Sequence, residues 1–227
     1  MVVLKYLGHA CVELSHAGKR IIIDPFLTGN PTAACAWDSV KADLILVTHG
    51  HSDHLGDAVQ ISKRNNCPIF TTYELSVQLQ KQGADVIGGN HGGSRDFGFA
   101  WVKITWAAHS SSIGSDQLFG GNPCGFVIRM GDNYIYHAGD TAVFSDMGLI
   151  GESYPLDIAM LPVGGFYTMG VEDLSVALRL LKPRLLIPIH YNTFPAIQTD
   201  VRALNEAVEK GSESKCIILR PGETFEN

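Results

Sequence analysis

Residues 48–57, THGHSDHLGD, hold three histidines and two aspartates. Among them His49, His51, Asp53 and His54 read H-x-H-x-D-H. Imidazole nitrogen and carboxylate oxygen are both good ligands for zinc and its first-row neighbours. So many donors in so little chain call for something positive among them. Three more donors stand far along the sequence, each closing a strand-like run: His109 after VKITWAA, Asp140 after YIYHAG and His190 after LLIPI. A single histidine at a strand end is more often an ordinary hydrogen-bonded residue. Four strand exits carrying donors fit a shared metal site far better than chance placement.

The elements that must position these donors can be read from the apolar pattern. VVLKYL and CVELS flank Gly8-His9-Ala10 as a hairpin, and KRIIIDPF is a short run stopped at Asp24-Pro25. ADLILVTHG is apolar on both faces, as a strand covered on each side would be. Thr71 and Glu74 form a capping box for a helix running to Gln82, with Gly83 as its stop. The rhythm then repeats. FAWVKITWA is a strand, GFVIRMGDNYIYHAGD a hairpin turning at Gly131-Asp132-Asn133, LDIAML a buried strand and RLLIPIH a strand. Leu174, Ala177, Leu178 and Leu181 share one helical face, and DVRALNEAVEKG is a second amphipathic helix capped at Gly211. Strands then helices, twice, predict an α/β fold: a four-layer αββα sandwich of two similar halves, within one domain spanning 1–227. Trp101 and Trp106 have opposite strand parity, so one is expected in the core and the other under a helix.

Composition limits the functions. A chain of 227 residues, 45% hydrophobic and 18% charged, can bury a sizeable core. The net charge of −6 offers no invitation to polymeric nucleic acid or an anionic membrane. The start, MVVLKYLGHACVEL, lacks the layout of a secretory signal, and no run reaches the length of a membrane span. The five cysteines are scattered and never form CxxC, which predicts reduced thiols and a cytoplasmic protein.

The segments LGHACVEL, IIIDPFLTGNP, THGHSDHLGD, AAHSSS, HAGDT, LPVGGFYTMG and IPIHYNTFP together resemble the metallo-β-lactamase superfamily. More narrowly, the chain resembles a branch of uncharacterised metal-dependent hydrolases related to the ascorbate-6-phosphate lactonase-like proteins. The resemblance implies two divalent metal ions, zinc first, with manganese or iron as alternatives. His49, His51 and His109 would hold one ion, and Asp53, His54 and His190 the other, with Asp140 bridging them. A hydroxide between the two ions would be the nucleophile. Asp24 and Thr141 would stand behind the ligands. The related di-iron flavoproteins carry Glu where this chain has His51, and the exported β-lactamases usually carry Cys where it has Asp140. The nucleases of the superfamily need an extra domain or arm.

The expected activity is therefore hydrolysis of a small ester, lactone or phosphodiester. The alternatives are a phosphodiesterase acting on nucleotide ends and a metal-bound sensor or scaffold without turnover. Asp53, Asp140 and His9 are the candidate catalytic residues, and His9, Tyr167 and Tyr191 the candidate substrate contacts. The polar, Gly-rich tract from Ser110 is expected to be a lid, and His137 a structural residue. A small-molecule substrate is the expected partner, with a homo-oligomer left open.

Overall fold

The computed structural model describes residues 1–227, the side chains of 209–211 excepted. Two seven-stranded sheets form its centre. The first contains β1 (Val3–Gly8), β2 (Cys11–His16), β3 (Lys19–Ile23), β4 (Leu44–Leu46), β5 (Ile69–Thr72) and β6 (Val86–Gly89), in that order. The second runs from β7 (Ser94–Asp96) through β8 (Trp101–Trp106), β11 (Cys124–Met130), β12 (Asn133–His137), β13 (Ile158–Pro162) and β14 (Leu185–Ile189) to β15 (Lys215–Cys216). Each begins antiparallel and turns parallel, at β3–β4 in one and β12–β13 in the other. The expected likeness of the two halves is thus a likeness of strand order. The last strand, β16 (Thr224–Glu226), returns to pair with β1. A two-stranded hairpin, β9 (Ser112–Ile113) with β10 (Leu118–Phe119), stands apart from both sheets.

Burial explains the four layers. Leu4, Tyr6, Leu14, Ile21 and Leu44 of the first sheet meet Val102, Phe126, Ile135, Met160 and Ile187 of the second in one apolar cluster. On the far side of the first sheet, Ile22, Ile45 and Ile69 pack on α2 (Ala58–Asn65) and α3 (Tyr73–Lys81). On the far side of the second, Val127, Tyr136, Ala159 and Leu186 pack on α4 (Met147–Ser153), α5 (Leu174–Leu181) and α6 (Val201–Gly211). The central parallel strands β4, β5, β13 and β14 are buried at every residue, because both of their faces are covered. Among the described residues no helix is long and apolar enough to cross a membrane.

Several local expectations need correction. Thr71 caps nothing: it is the third residue of β5, and its hydroxyl donates to the Val47 carbonyl. The helix begins two residues later, after Thr72, with no side-chain cap. Trp106 is not under a helix but 45% exposed at the end of β8, its ring against His91. Trp101 takes the place beside the helical layer, against Tyr154. Gly211 does not cap the last helix: it is the final residue of α6 (Val201–Gly211), and Ser212 is the C-cap, its N–H donating to the Val208 carbonyl. His137 is buried, with Nε2 at 3.0 Å from the Ala10 carbonyl, so it ties the two sheets together.

The loop after β4 leads into a single helical turn, α1 (Ser52–Leu55), which ends at Gly56 with φ +41°. A Cβ at Gly56 would lie 2.4 Å from the Pro25 carbonyl oxygen. Gly56→Ala therefore strains the backbone and forces the 24–28 and 48–57 loops apart. The expected cost is about 2 kcal/mol or more. Chemical denaturation of metal-free protein checks it, and an unchanged midpoint would show that the loops yield freely.

Candidate metal centre

The donors converge because their strands end on the same edge. His49 follows β4, His109 follows β8 and Asp140 follows β12, each three residues past its strand; His190 comes directly after β14. His109 and Asp140 thus stand on loops and not on the strands themselves. Their loops are joined: the Thr141 hydroxyl accepts from the Ala108 N–H at 2.9 Å and donates to the Ala142 carbonyl at 2.6 Å. His51, Asp53 and His54 are presented by α1, with His51 at its N-cap. His190 has φ +56°, and its N–H donates to the His9 carbonyl at 2.8 Å, which pins this exit to the first hairpin turn.

The donor atoms fall into compact sets. His49, His51 and His109 bring ring nitrogens within 4.8 Å of one another; so do His9, Asp53, His54 and His190 with their ring nitrogens and a carboxylate oxygen. Asp140 lies between the sets. Its Oδ1 is 3.2 Å from His54 Nε2, and its Oδ2 is 3.1 Å from His190 Nε2 and 3.5 Å from His109 Nε2. His54 Nε2 and Asp140 Oδ1 are buried without a hydrogen-bond partner. Buried polar atoms normally have partners, so two that face each other across an unbridged gap fit a cation. Burial opposes charge on Asp140, but His54 and His190 hold its carboxyl well below the usual range. Burial likewise opposes charge on Asp53, whose pKa falls because His9 hydrogen-bonds it and His54 is close.

Asp24 organises the ring nitrogens from behind. It is fully buried with φ +46°, a conformation that Asp tolerates better than most residues. Its Oδ1 accepts from the Thr48 N–H at 2.8 Å; its Oδ2 accepts from the Thr48 hydroxyl and from His54 Nδ1, both at 2.7 Å. An ionised carboxylate only accepts, so Thr48 must give it the hydroxyl proton. The Thr48 oxygen, 3.0 Å from His49 Nδ1, is then left to accept from that ring. One carboxylate thereby fixes two tautomers: His49 and His54 both carry the proton on Nδ1 and aim the Nε2 lone pair at the centre. The 3.0 Å approach of His49 Nε2 to His51 Nδ1 suits two lone pairs sharing an ion.

The remaining predicted residues divide. Tyr167 is 56% exposed at the mouth of the site, lining the same cavity as His51 and Asp53. Tyr191 goes elsewhere. The left-handed backbone at His190 and Asn192 turns its ring away, towards a separate cavity beside Tyr6 and Thr32. His9 is fully buried, with Nε2 3.3 Å from Asp53 Oδ2 and Nδ1 2.9 Å from the Thr193 hydroxyl. The tract from Ser110 forms the β9–β10 hairpin. The Ser111 hydroxyl accepts from the Gly50 N–H at 3.1 Å, and Ser112, Ile113 and Gln117 line the cavity over the donors. Sequence reading gave no role to Thr48, Phe26, Thr193 or Phe194. All four lie in the motif segments, where a hydroxyl or ring beside a ligand was the only signal.

Fold and donor set together define a class. The β-lactamase superfamily domain matches residues 3–190, and the chain belongs to that superfamily. Within it the chain is a metal-dependent hydrolase. A UPF0173 metal-dependent hydrolase of Thermus thermophilus is 50% identical over 226 residues, covering 99% of each chain. One from Archaeoglobus fulgidus is 46% identical, covering 98% of each. The solved structure of Igni18, a metallo hydrolase from Ignicoccus hospitalis, superposes with a TM-score of 0.90 at 38% identity, covering 100% of this chain and 99% of that one. These relatives are named for metal dependence and hydrolysis; the narrower likeness to lactonases finds no support in them.

If ions bind the folded chain alone, their removal lowers stability by mass action. Chelation is expected to lower the melting temperature by about 5–12 °C. Scanning calorimetry before and after chelation, and again after metal is restored, checks this. An identical melting temperature throughout would mean that the cluster holds no ion in solution.

Proposed function

We propose that the chain hydrolyses a small ester, lactone or phosphodiester at a dinuclear centre, with zinc the first candidate and manganese or iron the others. The observation that carries this reading is the pair of donor sets flanking Asp140, opening into a cavity of about 960 Å³. Two cations there would supply Lewis acidity and lower the pKa of a water between them. Imidazoles are neutral ligands, so the ions would keep most of their charge.

The protein's own groups do the rest. Asp140 presents its carboxylate to both donor sets and balances their charge. Asp53, its side chain 29% exposed, faces the cavity beside His51 and can accept a hydrogen bond from a water held there. His9 holds it: a carboxylate only accepts, so His9 donates an Nε2–H to Asp53 Oδ2 at 3.3 Å, while its Nδ1 lies 2.9 Å from the Thr193 hydroxyl. In this reading His9 positions Asp53 and, being fully buried, does not touch substrate. His190 and His54 complete the set, with His190 Nε2 3.8 Å from the same Asp53 oxygen.

The test is a panel of chromogenic esters, lactones and phosphodiesters, offered to metal-free and metal-restored protein. Hydrolysis that appears only with metal supports the reading. Tight metal binding with no turnover of any member would favour a sensor or scaffold.

A further inference from the structure

We infer that the substrate is a neutral carboxylic ester or lactone, with an aryl or medium-chain alkyl arm seated against Phe26 and Phe194. The inference rests on the hydrolase reading above and narrows it to a substrate class. Two lobes of the cavity meet at the metal centre. The smaller, about 500 Å³, is lined by Phe26, Tyr167, Phe194, Pro195 and Ala196 beside Asp53 and His190. The larger runs beneath the β9–β10 hairpin, where Ser112, Ser115, Gln82 and Gln117 supply its polar groups. Ser52, Asp53 and Tyr167 line both lobes. A bond held beside Asp53 therefore sends one substituent into an apolar lobe and the other into a polar one.

The apolar lobe is built rather than accidental. The rings of Phe26 and Phe194 stand with centroids 6.3 Å apart, and each meets the buried His9 ring edge-on, at 5.7 and 5.5 Å. They are half-buried, so they keep a face free for a ligand while His9 backs them. An aryl or alkyl arm covering that face removes apolar surface from water on both sides, and aromatic pairs add further attraction.

Charge excludes other arms. Among the described residues lining either lobe there is no lysine or arginine, and Asp53 is the only charged side chain. A phosphate or carboxylate placed away from the scissile bond would lose water and gain no counter-ion. Sugar phosphates and nucleotide chains carry such groups. The serines and glutamines of the larger lobe both donate and accept, which suits an uncharged hydroxyl- or amide-bearing arm. In the reaction the oxygen of water bonds to the acyl carbon and the acyl–oxygen bond breaks. One proton passes to the leaving oxygen and one to solvent, giving a carboxylate and an alcohol.

The experiment compares methyl acetate, methyl hexanoate, methyl phenylacetate and methyl 4-carboxyphenylacetate, with bis(p-nitrophenyl) phosphate as the phosphodiester arm, all with metal-replete protein. We expect kcat/KM for phenylacetate or hexanoate to exceed that for acetate by about tenfold or more, chiefly through KM. The added carboxylate should cost about tenfold. Phe194→Ala should cut the phenylacetate-to-acetate ratio about tenfold with metal content intact, and Tyr167→Ala, at an exposed position that folding does not need, should cut it less. A ratio near one, a ratio that both variants leave unmoved, or a preference for the carboxylated ester or the phosphodiester would overturn the inference while leaving a hydrolase. No turnover of any member would instead overturn the hydrolase reading, and this inference with it.

Discussion

Asp140→Asn should lower hydrolysis by at least about 100-fold, on whichever substrate the natural chain cleaves, and release one of two bound ions. Asparagine keeps the shape and removes the charge. Asp140 lies within 3.5 Å of ring nitrogens from His54, His109 and His190, so its carboxylate is the negative group common to both donor sets. Without it two cations repel each other more strongly, and the more weakly held one leaves. The fold should change little, because Asp140 stands past the end of β12 and outside the apolar clusters. Metal content and turnover of the variant decide the matter together. Both ions retained with near-normal turnover would show that Asp140 does not join the two sites.

Asp24→Asn should be the most damaging change at a residue that touches no substrate. The carboxylate accepts three hydrogen bonds from groups that can only donate in this arrangement. An amide turned either way sets its NH2 against the Thr48 N–H, or against the Thr48 hydroxyl and His54 Nδ1–H. The expected loss is about 2–4 kcal/mol of stability, because buried donors are left unpaired within a network. Metal affinity should fall about 10–100-fold. The reason is specific. A Thr48 hydroxyl released from Asp24 can donate to His49 Nδ1, moving the ring proton to Nε2, where it blocks the ion. Nitrogen NMR of the imidazoles reads that tautomer directly, alongside a metal titration. Unaltered tautomers and unaltered affinity would remove Asp24 from the account.

Much of this was legible in the sequence where the signal is local. His49, His51, Asp53 and His54 are neighbours on one loop and one turn, so their meeting needed no long-range knowledge. The double-covered strands β4 and β14 announce themselves as apolar on both faces. What stayed hidden depends on backbone turns that pattern does not encode. Tyr191 directly follows His190, yet left-handed φ values at His190 and Asn192 send its ring away from the centre. Thr71 has the spacing of a capping box, but pairing with β4 and β6 keeps it in a strand. Phe26 and Phe194 are 168 positions apart in sequence, at the ends of two different sheets; only the closure of the sandwich brings their rings together.

The central claim is that His49, His51 and His109 hold one ion, Asp53, His54 and His190 a second, and Asp140 both. An anomalous difference map from crystals of the metal-restored protein, recorded at the absorption edge of the added metal, tests it most directly. The account predicts two peaks per chain, one within each donor set, with Asp140 reaching both. A single peak, or a second peak that Asp140 does not touch, would contradict it.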